Sequence, residues 1–338
     1  MPRVSVILPV FNAVATVERA VASIRAQTWA DWELVVVEDG STDGTREMLR
    51  AAAREEKRLV LVEREHGGVV AAANAGIAVA RGEFVARMDA DDVAAPGRLA
   101  AQVGLLERDA TLGVVSGRVE FGGDRTARAG YALHVDWLNG LTTSEEIARA
   151  RFTEQPVANP SVLWRRELAE RHGVFRAGDF PEDYELWLRW LDAGVRIAKV
   201  PEVVLTWNDP PTRISRTDGR YAPEAFFRIK AEWLARELAR SAAGREVWVW
   251  GAGRHTRKRA AHLETWGVRI AGYVDVDAKK TGRGIGGTGA PVIAPEALPE
   301  PGSTVVLSYV TTRGAREYNR ARLEERGYVE GRDFWLCG

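Results

Sequence analysis

Two aspartates separated by one residue stand where an apolar run of the chain ends. Asp89 and Asp91 follow the strand-like run 82–88. Divalent cations such as Mn²⁺ and Mg²⁺ prefer oxygen ligands and are often held by one or two carboxylates together with substrate phosphates. An Asp-x-Asp at the end of a strand therefore predicts a Mn²⁺ or Mg²⁺ site beside a diphosphate. Acidic residues also cap helices that follow such loops, so the pair alone leaves a structural role open.

Two further polar clusters follow predicted strands in the first ninety residues, at 9–12 and 38–43. Short β-branched runs alternate here with helical periodicity, which predicts a parallel α/β sheet. Ligands of open α/β sheets bind at the carboxyl ends of the strands. We therefore expect the three clusters to lie along one edge of the sheet.

The elements that position these clusters are predicted from periodicity and from capping signals. The predicted strands are 4–10, 34–37, 59–62, 83–88, 113–121, 246–250 and 268–274. Helices are predicted at 69–80, 98–108, 182–194, 222–240 and 262–266. Another is predicted from Val14, Val17, Val21 and Ile24, which would share one helical face, and a further one begins with the capping box Thr143 to Glu146. The polar segment 208–220 is predicted to be a mobile loop.

Composition limits the classes of function. With 338 residues the chain predicts two domains, and 47 basic against 47 acidic side chains exclude a broadly basic nucleic-acid binder. The single cysteine, Cys337, excludes a disulfide framework. No apolar run approaches the roughly 18 residues of a membrane span, and the first residues lack the sections of a signal peptide. The expected compartment is the cytoplasm.

Five strings in order resemble the family 2 glycosyltransferases. They are Val-Ser-Val-Ile-Leu-Pro-Val-Phe-Asn at 4–12, Glu-Leu-Val-Val-Val-Glu-Asp-Gly-Ser-Thr-Asp-Gly-Thr at 33–45, Gly-Glu-Phe-Val-Ala-Arg-Met-Asp-Ala-Asp-Asp at 82–92, Asn-Pro-Ser at 159–161 and Pro-Glu-Asp-Tyr at 181–184. The resemblance covers about residues 3–220. It implies a GT-A fold and inverting transfer of a sugar from a nucleotide diphosphate, with UDP favoured, to a glycan or other hydroxyl acceptor.

The resemblance also implies a role for each site residue. The implied nucleotide contacts are Pro9, Val10, Phe11, Asn12 and Asp39 at the base, Asp89 at the ribose, and Arg213 and Arg216 at the diphosphate; Asp91 is the implied metal ligand and Asp183 the general base. Polysaccharide assembly is the implied process. Peripheral membrane association stays open, and the oligomeric state is not predicted.

Several neighbouring residues have a structural alternative. We favour a structural role for Asp43 and capping or solvation for Asp92, and a turn explains His66, Gly67 and Gly68 as well as phosphate contact does. Core packing is favoured for at least one of Trp187 and Trp190, and an acceptor contact stays open for the other. Three positions depart from the family pattern. Asn208 and Pro210 stand where many members carry an arginine and a histidine, and Asn159 stands where a histidine often precedes Pro-Ser.

A second α/β unit is predicted after the boundary at 241–244. Gly251-Ala252-Gly253 after a strand, with Asp275 ending the next strand, partly matches a dinucleotide fingerprint, but Thr256 takes the third glycine's place. The predicted organisation is a GT-A domain at 1–220, a helical linker at 221–244 and a Rossmann-like accessory domain at 245–338. Two rival functions remain, a non-catalytic nucleotide-sugar sensor and a transferase whose second domain binds NAD(P).

Overall fold

A computed structural model of the chain describes residues 1–211, 213–242, 244–285, 289–312 and 314–338. The described residues form two compact units. The first unit contains 1–148, 156–178 and 182–218, and the second contains 149–155, 179–181 and the described part of 219–338. None of the helices in these ranges combines the length and the apolar character that a membrane crossing requires.

The first unit is built on a mixed sheet. Its strands are β1 (Val4–Val10), β2 (Trp32–Glu38), β3 (Leu59–Glu63), β4 (Phe84–Arg87), β5 (Val93–Ala94), β6 (Leu112–Phe121), β7 (Leu163–Arg165) and β8 (Arg196–Trp207). The order across the sheet is β3-β2-β1-β4-β7-β6-β8-β5. The first four strands are mutually parallel. Their carboxyl ends therefore share one edge, as the sequence predicts.

Helices cover both faces of this sheet. They are α1 (Val17–Arg25), α2 (Thr45–Glu55), α3 (Gly68–Val79), α4 (Arg98–Arg108), α5 (Ala129–Gly140), α6 (Ser144–Ala150), α7 (Glu167–His172), α8 (Glu182–Asp192) and α9 (Ile214–Thr217), with 3₁₀ turns at Asn159–Ser161 and, in the second unit, Gly219–Tyr221. Alternate residues of β1 enter separate apolar clusters, Val6 and Leu8 on one face and Ile7 on the other. A Cβ on Gly76 would lie 2.6 Å from Ile7 Cγ2, so glycine lets α3 approach β1.

The predicted capping box is present. The N–H of Thr143 donates to Glu146 Oε2 at 2.9 Å, and the N–H of Glu146 donates to Thr143 Oγ1 at 3.2 Å. Hydrogen bonds from the main chain of Thr143 and Thr142 lower the pKa of Glu146 to about 2. Reciprocal satisfaction of the free N–H groups fixes the start of α6.

Two local predictions need correction. Val14 does not share the buried face of α1, since the helix begins at Val17 and the N–H of Val14 donates to Asp43 Oδ2 in the preceding turn. The segment 208–220 is not loop throughout, because it contains α9 and the start of the 3₁₀ turn Gly219–Tyr221.

The second unit has a five-stranded parallel sheet. Its elements are α10 (Pro223–Ser241), β9 (Glu246–Trp250), α11 (Arg254–Ala260), β10 (Ile270–Val274), β11 (Val292–Ile293), β12 (Thr304–Ser308), α12 (Ala315–Glu325) and β13 (Phe334–Leu336), with 3₁₀ turns at Ala261–Trp266 and Pro295–Ala297. The strand order is β11-β10-β9-β12-β13, and every pair is parallel. The sequence places strands at β9 and β10 correctly.

Candidate active site

Three carboxylates converge in the loop after β4. One oxygen from each of Asp89, Asp91 and Asp92 lies within 4.8 Å of the others, and we call these residues the acidic cluster. Arg87 at the end of β4 pairs with Asp89 Oδ1 at 2.6 Å. The edge of the sheet thus concentrates negative charge where ligands of α/β sheets bind.

Burial makes the charge of the acidic cluster unfavourable. Burial, and then the negative charge of Asp89, raise the pKa of Asp91 to about 6. Burial, followed by the charges of Asp89 and Asp91, raises the pKa of Asp92 well above its ordinary value. Carboxylates that share a site disfavour each other's ionisation, and a bound cation relieves this repulsion.

The burial and hydrogen bonding of Asp92 test whether a cation fits this site. Its side chain is 1% exposed, so solvation, one of the two roles favoured from sequence, is wrong. Its Oδ1 accepts the N–H of Asn208 at 2.8 Å, while its buried Oδ2 has no hydrogen-bond partner among the residues that the structure describes. An orphaned buried carboxylate oxygen beside two further carboxylates suits a hard divalent cation. The residues present therefore fit Mn²⁺ or Mg²⁺.

Asn208 joins the acidic cluster to the end of β8. Besides the bond from its main-chain N–H to Asp92, its Nδ2 donates to the carbonyl of Asp91 at 2.7 Å. The pairing of β5 with β8 aligns Val93 with Thr206 and so brings the two segments side by side. The departure from the family pattern at this position is thus a residue that contacts the acidic loop directly.

The two arginines predicted from sequence lie in the segment after Asn208, and we call them the arginine pair. Asp209 has a side chain only 1% exposed; its Oδ2 pairs with Arg216, while its Oδ1 lies 3.9 Å from Arg213 and has no hydrogen-bond partner among the described residues. The guanidinium of Arg213 lies 4.5 Å from the ring centroid of Trp207 and 5.1 Å from that of Tyr131, whose hydroxyl accepts a hydrogen bond from it. Such stacking fixes the direction of a guanidinium.

Electrostatics connect the arginine pair with the acidic cluster. The positive charge of Arg213 acts against the raised pKa values of Asp91 and Asp92. Burial lowers the pKa of Arg213, but Tyr131, Asp92 and Asp89 outweigh it and leave that pKa raised. Sequence reasoning missed Asp209 and Tyr131. The spacing of Asp209 to both arginines was a usable signal, whereas Tyr131 lies 82 residues from Arg213 and gave none.

Asp39 follows β2 and is 2% exposed. Its carboxylate accepts the N–H of Gly68 at 2.8 Å and that of Gly67 at 3.2 Å, and it pairs with Arg64 at 3.2 Å and with His66 at 3.0 Å. A carboxylate at the end of an apolar strand needs a partner, and Asp39 has its partners within the protein. Gly67 directly precedes α3 and Gly68 begins it, and contacts of these glycines with phosphate and of Asp39 with a nucleobase remain predictions.

The loop after β1 divides into buried and exposed parts. Pro9 and Val10 are buried in the strand, whereas Phe11 is 45% exposed and stacks on His66 with ring centroids 4.0 Å apart. Asn12 has a φ of 47°, in the left-handed region that asparagine tolerates, and its Oδ1 accepts the N–H of Thr42 at 2.9 Å. The side chains of Phe11 and Asn12 are thus exposed and those of Pro9 and Val10 are buried, and contact of this loop with a nucleotide remains a prediction.

Asp43 holds the adjoining turn. Its carboxylate accepts the N–H of Val14 at 3.1 Å and both the N–H and the hydroxyl of Thr45, at 3.1 Å and 2.5 Å. Hydrogen bonds from Thr45 and Val14 outweigh burial and lower the pKa of Asp43. These contacts agree with the structural role predicted from sequence.

Asp183 lies in the first turn of α8 and is partly exposed, and its Oδ1 accepts the N–H of Tyr184 at 2.8 Å. Trp187 and Trp190 on the same helix are 0% and 1% exposed and pack edge-on, with ring centroids 5.7 Å apart. Both therefore belong to the core, which excludes contact with an acceptor in this conformation. Hydrogen bonds join Asn208 to the acidic loop, and Arg213 acts on the acidic cluster through its charge, whereas Asp183 is carried by a separate element.

The turn after β9 in the second unit is closed by Asp275. This carboxylate accepts the N–H of Ala252 at 2.8 Å and that of Asp277 at 2.9 Å, and it pairs with Lys280 at 3.0 Å. Gly251 has a φ of 104°, and a Cβ there would lie 3.0 Å from Thr256 Oγ1. The acidic residue of the partial dinucleotide fingerprint thus has internal partners at the positions where a ribose would bind.

Comparison with known proteins decides the family. The model of glycosyl transferase family 2 matches residues 5–173, half of the chain. The chain belongs to glycosyl transferase family 2. It is therefore a glycosyltransferase, and the mixed α/β sheet of its first unit is a GT-A-like fold, as the sequence predicts.

Individual relatives are distant. An uncharacterised glycosyltransferase of Haemophilus influenzae is 27% identical over 237 residues, which are 68% of this chain and 73% of the relative. The putative glycosyltransferase EpsE of Bacillus subtilis is 29% identical over 230 residues, 65% of this chain and 78% of the relative. A mannosyltransferase from Pyrobaculum calidifontis, solved with GDP-Man and Mn²⁺, is 26% identical with a TM-score of 0.50, covering 78% of this chain and 69% of its own. TarS of S. aureus, at 18% identity and a TM-score of 0.53, covering 78% of this chain and 71% of its own, supports the fold alone.

Proposed function

We propose that this glycosyltransferase is metal-dependent and inverting, and that it moves a sugar from a nucleotide diphosphate to a hydroxyl acceptor. The acidic cluster carries the proposal, because its three crowded carboxylates include a buried oxygen for which the described residues provide no hydrogen-bond partner. A divalent cation together with a diphosphate would complete such a site. The 26% identical mannosyltransferase, whose structure contains GDP-Man and Mn²⁺, supports this proposal.

In this proposal Asp91 and its neighbours hold the cation. When bound, the cation neutralises charge that builds on the departing diphosphate. Asp89 contacts the ribose, and the arginine pair donates to phosphate oxygens, which guanidinium groups suit well. The exposed ring of Phe11 stacks on the base, Asn12 lines the same loop, and Asp39 faces the ring N–H.

Asp183 is the proposed general base. Inverting transfer needs a group that takes the proton of the acceptor hydroxyl on the face opposite the leaving diphosphate. Asp183 is partly exposed at the first turn of α8, whereas the neighbouring Glu182 is buried. The acceptor in this proposal is a glycan or another hydroxyl compound, and the process is polysaccharide assembly in the cytoplasm.

The test is a thermal-shift screen of nucleotide sugars with and without Mn²⁺. A ligand that binds only the folded state raises its stability by mass action. UDP-linked and GDP-linked sugars are both included, since the family resemblance favours uridine and the mannosyltransferase relative holds GDP-Man. We expect one class of donor to raise the melting temperature only when Mn²⁺ is present, and no response to any donor would contradict the proposal.

The rival sensor function differs in one outcome. A sensor would give the same thermal shift but would release no free nucleotide on incubation with Mn²⁺ and acceptors.

We propose a Rossmann-like accessory domain for residues 245–338, with 221–244 as the helical linker and 1–220 as the catalytic domain. The strand order of the second sheet supports this organisation.

A further inference from the structure

Two adjacent residues connect the acidic cluster with the arginine pair. Asn208 contacts the cluster and Asp209 contacts both arginines. We propose that Asn208 and Asp209 are positioning residues that set the cation-binding carboxylates and the arginine pair relative to each other. This inference rests on the proposed function, since it takes both groups to bind the diphosphate of the donor.

Asn208 is held in one orientation. Its main-chain N–H and its side-chain amide make bonds of 2.8 Å and 2.7 Å to two successive residues of the acidic loop. On the opposite side Gly122 donates its N–H to the carbonyl of Trp207 at 2.9 Å, and a Cβ on Gly122 would clash with Asn208 Oδ1. Glycine at this position therefore leaves the space that the Asn208 side chain occupies, and residues that orient metal ligands strongly affect metal affinity.

The bonds made by Asn208 leave the other ligand atoms free. The N–H of Asn208 donates to Oδ1 of Asp92, and Oδ2 has no hydrogen-bond partner among the described residues. The side-chain amide of Asn208 donates to the main-chain carbonyl of Asp91 rather than to its carboxylate. Asn208 therefore fixes the loop without competing for the oxygens that a cation needs. An arginine at this position would instead bring a positive charge beside the proposed cation.

Asp209 holds the arginine pair from the next position in the chain. Its buried carboxylate bonds to Arg216 through Oδ2, and its Oδ1 lies 3.9 Å from Arg213, close enough for charge attraction but not for a hydrogen bond. Two positive charges and one negative charge leave the group positively charged toward a diphosphate. Because Asn208 and Asp209 are adjacent, one short stretch of main chain carries the contacts to both groups.

The experiment compares Asn208→Ala and Asp209→Asn with a matched control in the full chain. Asn74→Ala is the control, because Asn74 also donates its Nδ2 to a main-chain carbonyl, that of Phe175, at 2.9 Å. Mn²⁺ affinity without nucleotide is measured by electron paramagnetic resonance of free Mn²⁺. Affinity for UDP and for GDP with Mn²⁺ present is measured by calorimetry, and melting temperatures are recorded for every variant.

The two variants should differ in kind. Asn208→Ala should weaken Mn²⁺ binding by about 10-fold, as expected for loss of a residue that orients metal ligands, while Asn74→Ala leaves it unchanged. Asp209→Asn should weaken binding of the diphosphate and leave the affinity for Mn²⁺ alone unchanged. Asn208→Ser, which also removes the amide donor, repeats the measurement if Asn208→Ala does not fold.

Each contrary outcome identifies what fails. If Asn208→Ala or Asn208→Ser binds Mn²⁺ as Asn74→Ala does, Asn208 has no positioning role. Tighter diphosphate binding by Asp209→Asn would show that Asp209 competes with the ligand, which overturns its positioning role. If the wild-type chain binds neither Mn²⁺ nor either nucleotide, the proposed function fails and this inference fails with it. Normal wild-type binding with unaffected variants overturns this inference alone.

Discussion

The main-chain N–H of Asn208 donates to Oδ1 of Asp92 at 2.8 Å, across 116 residues of sequence. This bond joins the loop after β4 to the segment after β8, so the carboxylates and the arginines belong to one site. Asp92 is buried, and within the described part of the chain its second oxygen has no hydrogen-bond partner.

Asp91→Asn should abolish the Mn²⁺-dependent thermal shift with nucleotide sugars while keeping the fold. Burial and the charge of Asp89 raise the pKa of Asp91, so its removal relieves an unfavourable charge, and we expect an unchanged or higher melting temperature without ligand. Asp43→Asn is the control, because it should lose stability through its hydrogen bonds to Val14 and Thr45 but keep metal binding. Mn²⁺ binding by Asp91→Asn equal to that of the wild type contradicts the assignment.

Asp183→Asn should lower kcat by about 10²- to 10⁴-fold, the usual contribution of a general base, and leave donor affinity largely intact. The reason is that Asn cannot accept the proton of the acceptor hydroxyl, while it keeps the size of the side chain at the start of α8. Steady-state kinetics with saturating donor measure the effect. The neighbouring Glu182→Gln serves as the comparison, and loss of turnover in Glu182→Gln alone would move the role to that residue.

Trp187→Ala should destabilise the protein by about 3–5 kcal/mol, as expected for loss of a buried aromatic side chain. Trp187 is 0% exposed and packs against Trp164 and Trp190, so it stabilises the core and cannot bind an acceptor. Urea unfolding measures the loss, and Trp187→Phe supplies a milder version for kinetics. Trp266→Ala, at a side chain 50% exposed, is the matched surface change. A raised KM for the acceptor in Trp187→Phe without loss of stability would restore the acceptor role.

NADH should not bind the chain, because Asp275 already satisfies the N–H groups of Ala252 and Asp277 and pairs with Lys280. A ribose would have to displace these partners. NADH fluorescence titration of the full chain measures binding, and Asp275→Ala should lower the melting temperature because the turn after β9 loses its closing carboxylate. Saturable NADH binding that Asp275→Ala removes would support the bifunctional rival instead.

The free energy of unfolding should rise with pH between two pKa values of Lys199. These are about 7 in the folded protein and 10.5, the ordinary value of a lysine. Burial lowers this pKa, so the unfolded chain binds the proton more tightly, and deprotonation favours the folded state across that window. Nζ of Lys199 lies among main-chain carbonyls and donates to that of Pro156 at 2.9 Å. Urea unfolding from pH 7 to 10 measures the effect: the free energy of unfolding should rise less steeply with pH in Lys199→Met than in the wild type. Lys57→Met, at an exposed position, serves as the control. An identical slope in wild type and Lys199→Met contradicts the expectation.

Local patterns predicted the elements that carry the site. The strands β1 to β4, the capping box of α6 and the helix α4 follow from periodicity and short-range hydrogen bonding, which neighbouring residues determine. The Asp-x-Asp at the end of β4 follows from the same local information. Val14 was misplaced because its N–H bonds to Asp43, a partner 29 residues away, rather than continuing the helix.

The sequence by itself determined which residue types stand at the ends of the strands, and hence that Asp39, Asp89 and Asp91 share an edge of the sheet. Only the tertiary structure decided their partners. Asp39 accepts a hydrogen bond from Gly68 because β2 and β3 are neighbours in the sheet. Asn208 contacts Asp91 because β5 pairs with β8. Those contacts depend on strand order and register, which arise from packing of the whole sheet and leave no periodic signal in a single segment.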